Sequence, residues 1–207
     1  LARKYKGDNP VLIYLPETAF DPEVFISEVK AALEHTSNLV VCVSEGINDG
    51  KGTFICELAS DVGVDTFGHK MLTGSGKFLE NLVRDRLGIK VRSIELNVPQ
   101  RCSSAWLSAT DLNEAADSGA FGVKCALAGE TGRMISFIRK PGENYELTFG
   151  TEDVNLICNQ EKAVPREWIS ASGSDIKKEF IDYALPLIQG SVTVPEENGL
   201  PKFAYRK

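Results

Sequence analysis

The chain reads as an α/β protein, for three reasons. Short, partly β-branched apolar runs alternate with segments of helical period, turn residues separate them, and a late pair of runs brackets Pro141-Gly142. Residues 11–15 form the first run, and Pro16 stops it as a terminal or edge strand is stopped. A helix follows. Asp21 has an N-capping side chain, Pro22 suits the first helical position, and Phe20 and Phe25 stand at the two positions of a hydrophobic staple. Its core-facing stripe reads as Phe25, Val29, Ala32 and Leu33. Residues 39–43 are almost continuously apolar, the pattern of a parallel strand covered on both faces, so strand, helix and strand suggest a right-handed crossover unit.

Ser75 reads as the cap of a second helix, with Phe78, Leu79, Leu82, Val83 and Leu87 on its apolar side and Gly88 as its stop. Residues 89–96 then return as a strand. A third helical pattern over 108–128 lines up Leu112, Ala115, Ala116, Gly119, Val123, Ala126 and Leu127, small enough in part for close packing. Residues 133–139 and 145–149 flank the Pro-Gly turn and predict an antiparallel hairpin. Residues 175–188 are the last helix, and the stretch beyond Gly190, with Pro195 and Pro201, reads as extended. There is no internal repeat, low-complexity segment or linker, so the expectation is one α/β domain over residues 1–190 and an extended tail over 191–207.

Composition agrees with a folded domain. With 207 residues, 43% apolar and 25% charged, the chain is neither disordered nor collagen-like, and it is long enough to bury a core. Twenty-nine acids against 23 bases give a net charge of -6, which opposes non-specific attraction to nucleic acid or anionic lipid. No nucleic-acid or membrane partner is expected. No apolar run approaches the ~20 residues of a membrane span, and residues 1–6 lack the apolar segment of a signal peptide. The five cysteines, at 42, 56, 102, 125 and 158, are scattered and contain no Cys-x-x-Cys, as expected of a reduced, cytoplasmic protein. Two histidines, His35 and His69, are too few for a His-based zinc site.

Two stretches have chemical potential. Glu45-Gly46-Ile47-Asn48-Asp49-Gly50-Lys51-Gly52-Thr53 follows the apolar strand at 39–43, where ligands of open α/β sheets sit. Its carboxylate could accept hydrogen bonds from sugar hydroxyls. It is not a Walker loop, because Gly46 and Gly50 are three residues apart rather than four and Gly52 follows the lysine; an ordinary glycine-rich connection is the alternative. In the second stretch, Arg92 and Arg101 lie nine positions apart, on and just after residues 89–96. Guanidinium forks pair with phosphate oxygens, so two of them could hold one phosphate ester; the alternative is a half-exposed strand arginine and a solvated loop arginine. Gly74-Ser75-Gly76 opens a helix, His69 is isolated, and Ser174 with Lys177 matches Ser-x-x-Lys but is better read as a helix cap. Cys102 adjoins Arg101, but sequence proximity alone does not lower a thiol pKa.

Val-Ser-Glu-Gly-Ile at 43–47, Phe-Gly-His at 67–69, Val-Arg-Ser-Ile-Glu-Leu-Asn at 91–97, Pro-Gln-Arg at 99–101 and Val-Pro-Arg-Glu-Trp-Ile at 164–169 together resemble the carboxy-terminal half of 6-phosphofructokinases, especially the pyrophosphate-dependent branch. The likeness runs from about residue 9 to residue 188. It implies a three-layer fold with a mainly parallel sheet and a late antiparallel hairpin, incomplete relative to the whole family fold. It also implies fructose 6-phosphate as a partner: Glu45 would receive ring hydroxyls, Arg101 would help bind the same substrate with Val98, Pro99 and Gln100 beside it, and Arg92 would reach the 6-phosphate from a neighbouring subunit. A homo-oligomer, dimer or tetramer, is thereby expected. Val98 stands where family members often carry histidine or tyrosine, and Cys102-Ser103 replaces the Gly-Gly of bacterial ATP-dependent forms.

The resemblance also defines what these residues lack. The family's Gly-Gly-Asp donor loop, its Thr-x-Asp-x-Asp segment with the catalytic base and its Met-Gly-Arg segment do not occur here. No catalytic residue is therefore assigned within the chain, and Mg²⁺ would be held mainly by the phosphoryl donor, pyrophosphate or ATP, and by residues not present. With Leu1 as first residue, a carboxy-terminal fragment or one piece of a complex is expected; the alternatives are a non-catalytic sugar-phosphate-binding or regulatory module and an unrelated α/β domain. The purified chain by itself is expected to show no kinase turnover, and measurable formation of fructose 1,6-bisphosphate would count against that expectation.

Overall fold

The computed structural model describes residues 7–58, 74–142 and 144–202. They form an α/β fold with one parallel sheet and two antiparallel hairpins. Backbone contacts divide the chain into two compact units, Leu1–Asn97 with Ala163–Ile181, and Val98–Lys162 with Asp182–Lys207. The buried apolar cluster, among the described residues, lies in the first unit.

In the first unit, β1 (Leu12–Tyr14) and β2 (Val41–Val43) run parallel, with Leu12 opposite Val41 and Tyr14 opposite Val43. α1 (Pro22–Leu33) connects them. Asp21 caps it, its Oδ1 accepting the Glu23 and Val24 N–H groups at 2.8 and 3.3 Å, and the Phe20 and Phe25 rings close the staple at 5.4 Å. Ile26 joins Phe25 and Val29 in the core, while Ala32 and Leu33 are only partly covered. β2 does not meet the expectation of a strand covered on both faces. Its sheet has two strands among the described residues, and Cys42 is exposed.

The other edge of β1 is also occupied, since the Ile13 N–H donates to the Ser174 carbonyl at 2.9 Å. Tyr14 donates its hydroxyl to Glu28 Oε2, and Ser174 donates its own to Glu28 Oε1 at 2.7 Å, so one carboxylate ties β1, α1 and the 170s segment together. Burial, reinforced by Glu28, pushes the Tyr14 phenol well above its ordinary pKa. Ser174 is thereby committed to Glu28 and caps no helix, contrary to its sequence reading.

α2 (Ser75–Leu87) begins after Gly74, whose φ of 97° suits glycine. Ser75 is the first helical residue rather than the cap; its hydroxyl turns inward and donates to the Glu45 carbonyl at 3.3 Å. Leu79 and Val83 are buried with Tyr14, Phe20, Phe25, Ile47 and Ile55, and Gly88 ends the helix as expected. Arg86 on α2 forks both carboxylate oxygens of Glu23 on α1. The segment expected as a strand over 89–96 has a strand's alternation, with Ile89, Val91 and Ser93 half-buried and Lys90, Arg92 and Ile94 exposed, but no described strand hydrogen-bonds to it. Ile94 is consequently 84% exposed.

The second unit opens with the single turn α3 (Pro99–Cys102) and continues with α4 (Ala109–Leu127), capped by Ser108 Oγ accepting the Asp111 N–H at 3.0 Å. β3 (Arg133–Arg139) and β4 (Leu147–Asp153) make the expected hairpin, paired from Arg133–Asp153 to Arg139–Leu147, and the short turn α5 (Val154–Ile157) follows. α4 faces this hairpin with Phe121, stacked on Phe149 at 5.8 Å, and with Gly122, which lies against Ile135. The apolar stripe read from the sequence lies on the other side: Leu112 and Val123 are exposed, and Leu127 is 85% exposed. Period alone could not choose between these two faces, because small residues interrupt both.

α6 (Lys178–Ala184) carries the chain from the first unit into the second and is shorter than the 175–188 expected. Before it, the Ser170 N–H donates to the Asp175 carbonyl and the Lys177 N–H to the Trp168 carbonyl, both at 2.8 Å, and so keep residues 175–177 out of the helix. After it, Pro186 removes a donor and the chain tightens into the 3-10 turn Leu185–Ile188. The tail holds a two-residue hairpin, β5 (Glu196–Glu197) with β6 (Leu200–Pro201), and its start is tied to α4 by the Ala109 N–H on the Gly190 carbonyl at 3.2 Å. Replacing Phe25, 3% exposed, by Ala is expected to cost about 3–5 kcal/mol of stability, whereas Asp21→Ala is expected to cost about 1 kcal/mol. Urea unfolding followed by circular dichroism checks both values.

Candidate functional site

Glu45 stands in a tight turn just past the carboxyl end of β2. Ile47, fully buried, anchors that turn: its N–H reaches back to the Ser44 carbonyl at 3.4 Å, and its own carbonyl accepts the Ile55 N–H at 3.0 Å. The Ser75 hydroxyl on the Glu45 carbonyl adds a third tie. The backbone is held while the Glu45 side chain remains exposed. A fixed carboxylate in this position can accept two or more hydroxyl donors.

The glycine-rich stretch after it has a different use. Asp49 Oδ1 accepts the Lys51 and Thr53 N–H groups at 2.8 and 3.0 Å, and Asn48 Oδ1 accepts the Gly50 N–H at 2.9 Å. These backbone donors hold the Asp49 carboxyl below its ordinary range. Amides that a phosphate would need are already engaged within the loop, so this segment is a self-satisfied connection. Gly50, at φ 74°, also lies where a Cβ would come within 2.8 Å of Ala19.

Arg92 is exposed on the outward side of the extended segment and pairs with no carboxylate among the described residues. Its neighbour Ser93 is fastened to α2. Glu80 Oε2 accepts both the Ser93 N–H at 2.9 Å and the Ser93 hydroxyl at 2.7 Å. The other oxygen, Oε1, receives Lys77 at 2.6 Å and lies 3.7 Å from Arg84. Lys77 first, then the two Ser93 donors, pull the Glu80 carboxyl down from the ordinary 4.5 to about 2. One turn earlier on the same face, Gly76 leaves room for Ser93 and Glu95, whose atoms would lie 3.2 to 3.4 Å from a Cβ there. α2 therefore supports both candidates, through Ser75 beneath Glu45 and through Glu80 beside Arg92. Glu80 escaped the sequence reading; its spacing from Lys77 and Arg84 marks a helical ion-pair set, but nothing in sequence links it to Ser93.

Glu45 and Arg92 belong to the first unit, and Val98, Pro99, Gln100 and Arg101 to the second. The latter four are exposed at α3, where the Arg101 N–H closes the turn on the Val98 carbonyl at 2.9 Å. Cys102 is exposed as well, and His69, with Phe67 and Gly68, lies outside the described residues. Among the described residues no group of three or more His, Cys, Asp or Glu side chains is placed to hold a metal ion. No helix among them is long and apolar enough to cross a membrane.

The fold is that of phosphofructokinases: a crystal structure of a pyrophosphate-dependent phosphofructokinase from Marinobacter aquaeolei superposes with a TM-score of 0.79 at 28% identity, over 97% of this chain and 46% of that one. The sequence is similar in the same direction. The pyrophosphate–fructose 6-phosphate 1-phosphotransferase of Halomonas elongata is 34% identical over 204 residues, 99% of this chain and 48% of the relative. That of Rhodospirillum rubrum is 34% identical over 193 residues, 91% of this chain and 47% of the relative. The chain thus spans about half the length of the curated relatives it matches. No family model matches it.

Because the folded pKa of Glu80 lies below its ordinary value, the unfolded chain binds more protons between pH 4.5 and 2, and the stabilisation from this carboxylate is complete above that window and lost as pH falls through it. Glu80→Gln is therefore expected to flatten the acid limb of stability between those pH values and to leave its slope near pH 7 unchanged. Urea midpoints measured across pH 2–7 check this.

Proposed function

We propose that this chain is the acceptor-substrate part, corresponding to the carboxy-terminal half, of a phosphofructokinase that transfers a phosphoryl group from pyrophosphate, or from ATP, to fructose 6-phosphate. The observation that carries this reading is the similarity across nearly the whole chain to enzymes named for that reaction. In this reading Glu45 accepts hydrogen bonds from hydroxyls of the sugar ring, Arg92 of a neighbouring copy reaches the 6-phosphate, and Arg101, with Val98, Pro99 and Gln100, helps bind the same substrate. The chemistry is consistent with the exposure of all three charged side chains and with the absence of a described carboxylate partner for Arg92. A guanidinium that is not paired internally is available to a phosphate dianion.

Phosphoryl transfer is mainly a matter of positioning and charge neutralisation, and in this reading the chain supplies the acceptor side of both. The donor, its Mg²⁺ and the base that takes the proton of the sugar 1-hydroxyl would be held by residues outside these 207. Arg92 would serve a neighbouring copy in a cytoplasmic homo-oligomer, dimer or tetramer. The apolar residues left exposed, Leu112, Val123 and Leu127 on α4 and Ile94 beside Arg92, fit a chain that works within a larger assembly. The names of the relatives favour this enzyme over a non-catalytic sugar-phosphate-binding or regulatory module.

Calorimetric titration with fructose 6-phosphate tests the assignment. Arg92→Ala and Arg101→Ala are each expected to weaken binding about tenfold or more, the usual size of a lost charge-assisted hydrogen bond, and Glu45→Gln to weaken it less. Unchanged affinity in Arg101→Ala would sink the proposed site.

A further inference from the structure

Arg92 lies on a stretch of chain that has the alternation of a strand but no described ladder to hold it. Side-chain hydrogen bonds that fasten such a segment fix its register and the side to which its residues point. We propose that Glu80 is a positioning residue for sugar-phosphate binding, its Oε2 clamping both the N–H and the hydroxyl of Ser93 and so fixing the direction in which the adjacent Arg92 points. The inference rests on the assignment of Arg92 to the phosphate.

The geometry separates two jobs on one carboxylate. Oε2 takes both Ser93 donors, at 2.9 and 2.7 Å, and Oε1 faces Lys77 at 2.6 Å and Arg84 at 3.7 Å. The two cations lie on α2 itself and hold the carboxylate in place along the helix, leaving its second oxygen aimed at the passing segment. The Glu80 side chain is only 12% exposed, so water competes weakly for that oxygen. Gly76, four residues earlier on the same face, lets the segment pass within 3.2 to 3.4 Å of where a Cβ would stand. One close approach and one two-pronged clamp, a helical turn apart, define the register. Because side chains alternate along an extended chain, pinning Ser93 inward turns Arg92 outward.

Two measurements on the full chain test this. In the first, trypsin cleavage after Lys90 and Arg92 reads whether the segment is held, independently of any ligand. Glu80→Ala is expected to accelerate cleavage at these two bonds, Ser93→Ala to do so less, and Glu80→Gln, which keeps an acceptor, to stay near the unmodified rate. Equal rates in Glu80→Ala and the unmodified chain overturn the clamp. In the second, a double-mutant cycle with fructose 6-phosphate reads the consequence. Glu80→Ala is expected to weaken binding about tenfold in the unmodified background and to have almost no further effect once Arg92 is Ala, because its contribution passes through that guanidinium. Equal losses in both backgrounds would identify Glu80 as merely structural and overturn its positioning role. If Arg92→Ala itself leaves affinity unchanged, the assignment of Arg92 to the phosphate fails, and that outcome is distinct from a failure of the clamp in the cleavage assay.

Discussion

Burial of Ile47 is the constraint from which the arrangement around Glu45 follows. A fully buried side chain two residues beyond an exposed carboxylate leaves the turn between them little freedom, and Ile55 and Ser75 close on the same short stretch of backbone. α2 packs Leu79 and Val83 into the same cluster, which brings its first turn beneath Glu45 and sets its long axis against the segment carrying Arg92. Apolar contacts decide where the helix lies, and the polar face of that helix then organises what is exposed.

Three carboxylates near this frame serve three different ends. Glu45 keeps its side chain in solvent. Asp49 turns its oxygen to the Lys51 and Thr53 amides, so these two N–H groups of the glycine-rich stretch are engaged within the loop. Glu80 divides its oxygens between cations of its own helix and the Ser93 donors of the neighbouring segment. The low pKa values of Asp49 and Glu80 have the same origin, hydrogen bonds donated to the ionised form, and neither group acts as a proton donor near neutrality. Perturbed ionisation marks the scaffold here, while the ligand-facing assignment falls on Glu45.

The second unit shows how an amphipathic helix can present two plausible faces. α4 uses Phe121 and Gly122 against the hairpin, while Leu112, Val123 and Leu127 stand in solvent. Phe121 stacks on Phe149, which in turn meets Phe137 edge-on at 5.3 Å, so the aromatic contacts outweigh the longer aliphatic stripe in deciding which side turns inward.

What could be read from sequence alone was local. The cap at Asp21, the staple of Phe20 and Phe25, the Gly88 stop and the hairpin around Pro141-Gly142 all rest on interactions within a few residues or across one turn, and residue type specifies them directly. The fold class was legible for a related reason, since short motifs in a fixed order carry a family likeness, and the same motifs nominate Glu45, Arg92 and Arg101 as candidates. Tertiary structure alone decided that residues 89–96 join no ladder among the described residues, that Ser75 and Ser174 turn inward to Glu45 and Glu28, and that Glu80 grips Ser93 thirteen positions away. A hydroxyl or carboxylate has several satisfactory partners of nearly equal energy. Which one it meets is set by how distant apolar faces pack, and that information is spread over the whole chain.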